Sequence, residues 1–115
     1  MFLFESLDFP SIPPFTKKGG NKLFVMLIEF DSAKREKTLV ERDIDFADAA
    51  EVFAGHQFTL KDERQNYNEP RFITVGKLNG RMVMVVWTPR GVNRRIISMR
   101  KCNEREQNRY QNRLD

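Results

Sequence analysis

The sequence predicts a small α+β domain. Its expected sheet is an antiparallel meander of three to four strands plus a short N-terminal strand, packed against two N-terminal helices and one C-terminal helix. Three observations carry this. Two helical segments between residues 31 and 54 come before the strand-like segments 71–99 instead of alternating with them, and segregated helices and strands mark the α+β class. Asn79-Gly80 lies between apolar runs and is the strongest short-range hairpin signal. Residues 82–88 are apolar on both faces, as a central strand covered on both sides requires.

Residues 27–30 form the short first strand. Asp31-Ser32 then offers an N-cap for a helix reaching about Arg42, and Lys34, Arg35, Glu36 and Lys37 keep most of that helix in solvent. Asp45 caps a second helix, with Asp48 as a capping-box echo. Phe46, Ala49, Ala50 and Phe53 recur at the helical period as its core face, and Gly55 ends it. Residues 58–60 are the optional fourth strand of the meander, and 61–68 are a polar loop. Residues 71–77 form the strand before the hairpin. Pro89-Arg90-Gly91 turns the chain into a last strand, 92–99, and a final helix covers about 103–113.

At 115 residues there is room for one core. A hydrophobic fraction of 40% with ten Phe argues against disorder. The one cysteine, Cys102, has no internal disulfide partner. No apolar run is long enough to span a bilayer, and the N-terminus lacks the leading cations of a secretion signal, so a cytoplasmic protein is expected with no membrane partner. Residues 1–25 differ from the rest. Pro10, Pro13, Pro14, Gly19 and Gly20 break any period, so an N-terminal extension, 1–25, is set apart from the patterned domain, 26–115. The favoured reading makes Met26 the true initiator; the other makes the segment an apolar arm built on Phe2, Phe4, Phe9 and Phe15.

Charge is distributed unevenly. Residues 90–115 hold eight Lys/Arg against three Asp/Glu; of the totals of 20 and 16, that leaves twelve and thirteen in residues 1–89. The whole excess of +4 therefore sits in the last quarter, a footprint suited to nucleic acid. Within it, the strand Arg95-Ile96-Ile97-Ser98-Met99-Arg100-Lys101 ends in two cations beside a helix offering Glu106 and Tyr110, which share one helix face. Such a set can hold a phosphodiester without a metal, and no cofactor motif or metal-ligand spacing is present in the sequence.

The ordered series Phe30-Asp31-x-x-Lys34, Asp45-Phe46-x-Asp48-Ala49-Ala50-x-Val52-Phe53, Glu69-x-Arg71-Phe72-Ile73-Thr74-Val75-Gly76, Arg95-Ile96-Ile97-Ser98-x-Arg100 and Glu106-x-x-x-Tyr110 resembles the BrnT toxins of bacterial type II toxin–antitoxin pairs. The resemblance implies a RelE-like fold, a metal-independent endoribonuclease that inhibits translation, an RNA substrate, and a cognate antitoxin that neutralises the toxin and binds operator DNA. Arg71 and Arg100 are the phosphate clamps it points to, since the guanidinium fork can bind two phosphate oxygens. Glu106 orients Arg100 or acts as base, and Tyr110 donates to phosphate or stacks on a base. Arg95, Lys101 and Arg105 are the RNA-binding candidates, with pairing to acids or solvation as the structural alternative.

The chain departs from the family where Asn-x-x-Lys-His-Gly is usual: Thr38, Glu41, Arg42 and Asp43 stand there, Phe30 replaces a frequent Trp, and Cys102 an Ala. If the 41–43 corner belongs to the site, a partner-only protein without catalysis becomes the alternative; a plain nucleic-acid-binding domain unrelated to toxins is a separate one. If the corner is a helix cap, the change costs stability alone. His56 is expected to be a cap or surface group, Trp87 core, and Met82, Met84 and Met99 core before they are an antitoxin groove.

Overall fold

The computed structural model describes residues 27–114; the expected extension 1–25, Met26 and Asp115 lie outside the described residues. Five strands, β1 (Ile28–Phe30), β2 (Gln57–Lys61), β3 (Phe72–Leu78), β4 (Arg81–Arg90) and β5 (Asn93–Lys101), form one sheet in the order β1-β5-β4-β3-β2. Three α-helices accompany it: α1 (Ser32–Arg42), α2 (Ala49–Ala54) and α3 (Glu104–Leu114).

The α+β class and the meander β2-β3-β4-β5 are as expected, and the optional fourth strand is present. The antiparallel sheet needs correction. β1 lies parallel to β5, Ile28 opposite Arg94 and Phe30 opposite Ile96, so the sheet is mixed. An edge strand of three residues buries Ile28 and Phe30 equally well in either direction. Its apolar pattern therefore carries no sign of orientation.

Local signals place the helices. Asp31 Oδ1 accepts from the backbone N–H of Ala33 at 2.8 Å and of Lys34 at 3.3 Å. Asp43 closes α1 in the left-handed region (φ 56°), its N–H donating to Leu39 O at 3.0 Å. Asp45 caps a 3-10 turn, Phe46–Asp48, rather than α2 itself, and also holds Arg35 through two 2.8 Å contacts. Asp48 makes no side-chain cap. Asn79 and Gly80 both have positive φ, 52° and 81°, as a type I′ hairpin demands. The next reversal falls later than expected: β4 runs on through Arg90 with Pro89 opposite Arg94, and Gly91 (φ 61°) makes the turn.

The sheet divides the core. On one face Phe46, Ala49, Val52 and Phe53 pack on Phe72, Val83, Val85, Trp87, Ile96 and Met99. Trp87 Nε1 donates to Thr74 Oγ1 at 2.8 Å inside this layer. Val52, absent from the expected helix face, is fully buried and lies where a Cβ on Gly76 would come within 2.9 Å of its Cγ1. On the other face α3 covers only one end, where Val75, Met82, Cys102 and Leu114 cluster with Phe58 and Tyr110. Met82 and Met99 are core, whereas Met84 is half-buried.

Candidate active site

Strict strand alternation would put Arg95 and Arg100 on opposite faces of β5, because their separation is odd. The register shows otherwise. Arg100 pairs with Met84, Ser98 with Val86 and Arg95 with Thr88, three β4 residues on one face. A bulge opposite Val86/Trp87 leaves Ile97 unpaired and shifts the phase. Arg95 therefore joins Arg100 and Ser98, while Arg94 turns to the other face and lies over the rings of Phe53 and Trp87. On β3 the same face carries Val75 and Ile73, opposite Met84 and Val86. Alternation then puts Arg71, one residue before β3, on it too. Three arginines share the face that α3 leaves mostly open.

Arg100 is held most firmly. Its guanidinium meets Glu106 through two bonds, Nη1 to Oε1 at 2.8 Å and Nη2 to Oε2 at 2.7 Å, and Nη2 also reaches Met84 Sδ at 3.4 Å. Glu106 is simultaneously the reciprocal half of a capping box. Its Oε1 accepts from Asn103 N–H at 2.9 Å, and its own N–H donates to Asn103 Oδ1 at 2.9 Å. The first turn of α3 thus aligns the clamp on β5. The Arg100 fork, with the Asn103 N–H, pulls the Glu106 carboxyl down to about 2 against the penalty of burial.

The other two arginines have looser partners. Arg71 Nε lies 3.7 Å from Glu69 Oε2, an ion pair too long for a hydrogen bond, and that buried Nε has no hydrogen-bond partner. Its guanidinium lies over the Tyr67 ring at 4.1 Å. Arg95 Nη1 is 3.6 Å from Glu29 Oε1 on neighbouring β1. Arg71 and Arg95 flank Thr88 from the two neighbouring strands, roughly 10 Å apart, with Arg100 roughly 13 Å further along. The three cations line one surface.

Tyr110, half-buried, stacks tilted on Phe58 with centroids 5.3 Å apart, on the α3 side that carries Glu106. Lys101 alternates away from Arg100 and pairs with Val83, on the opposite face. Arg105 is exposed on the first turn of α3. His56 is exposed at the end of α2, and Trp87 is core. Cys102 is buried, and its thiol is pushed up to about 11 by burial and by Glu106, the reverse of activation by its cationic neighbours. The corner Glu41-Arg42-Asp43 is a helix cap, and Arg42 Nη1 donates to the backbone oxygen of Met99 at 2.9 Å, beside Arg100 on β5. Tyr67 escaped the sequence reading. Its signal was an aromatic alone in a polar loop, two residues before Glu69.

Among the described residues no group of three His, Cys, Asp or Glu could hold a metal, and no helix is long and apolar enough to cross a membrane. A family model described as the ribonuclease toxin BrnT of type II toxin-antitoxin systems matches residues 30–106. No curated protein matches the chain.

Proposed function

The chain belongs to the BrnT family of type II ribonuclease toxins, and on that premise we propose that it cuts RNA without a metal on the open face of the sheet. The family implies an RNA target and an antitoxin partner. The observation that carries the proposal is the bulge in β5, which gathers Arg95 with Arg100 and Arg71 on one surface.

In the proposed reaction the ribose 2′-oxygen loses its proton and attacks the adjacent phosphorus. The bond from phosphorus to the 5′-oxygen breaks, and that oxygen takes up a proton. The products are a 2′,3′-cyclic phosphate and a 5′-hydroxyl. Arg100 stabilises the charge that develops on the phosphorane oxygens, and Tyr110 donates a hydrogen bond to one of them. Glu106 is a positioning residue: a carboxyl held at about 2 is a poor proton acceptor near neutral pH. Arg71 and Arg95 hold phosphates further along the strand through loosely paired guanidiniums. Arg105 adds exposed charge, and Lys101 adds charge from the other face.

The same reading has a RelE-like fold, neutralisation by an antitoxin that binds operator DNA, and arrest of translation in the cytoplasm. Purified protein freed of partner should cleave RNA in EDTA, and Arg100→Ala with Tyr110→Ala should abolish it. Cleavage that requires a divalent cation, or that survives the double substitution, overturns the assignment. The departure at 41–43 closes α1 and touches β5 only through Arg42 Nη1 on Met99 O, so it adds no group to the proposed reaction.

A further inference from the structure

The loop between β2 and β3 encloses an open cavity of about 700 Å³ that the cleavage chemistry does not use. Its walls include Lys61, Asp62, Glu63, Tyr67, Glu69 and Arg71. The loop is braced from within. Asp62 is buried and takes both Arg64 Nε and Nη2 at 2.7 Å, while its N–H donates to Arg71 O at 2.8 Å. The Asp62 carboxyl is held below its usual range by Arg64 first, with the Tyr67 hydroxyl contributing. Beside it the guanidinium of Arg71 lies over the Tyr67 ring at 4.1 Å.

The charge of the walls selects the ligand. Three carboxylates stand against two cations, and Glu69 already pairs with Arg71 and Arg90. With Asp62 also paired to Arg64, the walls carry little net charge. A neutral base has what the walls ask for: a π-face to extend a tyrosine–arginine stack and an amino group to donate to carboxylate or amide oxygens. Arg71 links this cavity to the open face, so a base seated here belongs to a strand whose phosphates meet the arginines.

We infer that the 62–71 loop is a nucleobase pocket that stacks one base of the RNA on the Tyr67–Arg71 pair and prefers bases carrying an exocyclic amino group. The inference rests on the RNA-cleaving reading above but fails separately from it.

The test uses the full chain and 2′-deoxy tetranucleotides of adenine, cytosine or uracil, which lack the attacking hydroxyl, with affinity read by fluorescence anisotropy. Adenine and cytosine should bind about tenfold tighter than uracil, the size of about one hydrogen bond to a charged acceptor, and Tyr67→Ala should unseat the base and erase that difference. Tyr67→Phe keeps the ring and should keep the preference, provided its circular dichroism matches the native chain. Equal binding of the three oligonucleotides to the native chain overturns the inference without needing any variant. So does a preference that persists in a folded Tyr67→Ala. Base-selective binding by a chain that never cuts RNA would uphold the pocket while refuting the nuclease.

Discussion

Replacing Glu106 with Gln keeps the shape of the side chain and removes its charge. The amide oxygen can still accept from Asn103 N–H, so the capping box survives. What is lost is half of the fork on Arg100. The carboxyl is pulled from an ordinary 4.5 to about 2, and at about 1.4 kcal/mol per unit this sets a ceiling of about 3 kcal/mol. Because 42% of the Arg100 side chain is open to solvent, screening reduces the expected loss to about 1–2 kcal/mol at pH 7. The sign follows from a depressed folded pKa: the stabilisation is complete above 4.5 and disappears as pH falls towards 2. Urea titrations at pH 7, 5 and 3.5 should show the gap between native chain and variant shrinking only in the last interval. A gap below about 0.3 kcal/mol at pH 7, within the range of ordinary surface changes, would refute the coupling. Cleavage supplies the second readout. A positioning role predicts a loss of about tenfold or less, whereas about 10²–10⁴ would make Glu106 the proton acceptor.

Gly76→Ala sets a Cβ 2.9 Å from Val52 Cγ1 and 3.1 Å from Gln57 Cβ. Thermal unfolding should register about 1–3 kcal/mol of destabilisation from this overpacking. Asp43→Gly relieves a left-handed residue at the end of α1 and should stabilise the chain by about 0.5–1 kcal/mol. RNA cleavage by that variant should match the native rate, and a changed rate would bring the corner into the site. Cys102, buried with its thiol raised to about 11, should resist iodoacetamide at pH 7.5 until denaturant is added. Mass spectrometry showing rapid alkylation of the folded chain would contradict its burial.

Much of this protein could be read within a few residues of sequence. Asp31 caps α1 through N–H groups two and three positions on, and Asn79-Gly80 reverses the chain with its own dihedrals. The segregation of helices before strands announced the α+β class, and the run around Val85 announced a strand covered on both faces. Arg100 and Glu106 could be named as neighbours from the sequence, though not the two-bond fork that joins them.

Other features depend on strand pairing, where a residue's partner lies far along the chain. The direction of β1 follows from its seat beside β5, since three residues bury the same side chains either way. The face on which Arg95 stands is set by one unpaired residue, Ile97, whose extra step exists only relative to β4. The double duty of Glu106, as cap and as clamp, needs α3 to begin just where β5 ends. Short-range hydrogen bonds can be written into a local run of residues, but strand phase and direction are properties of a pair, and one member alone cannot carry them.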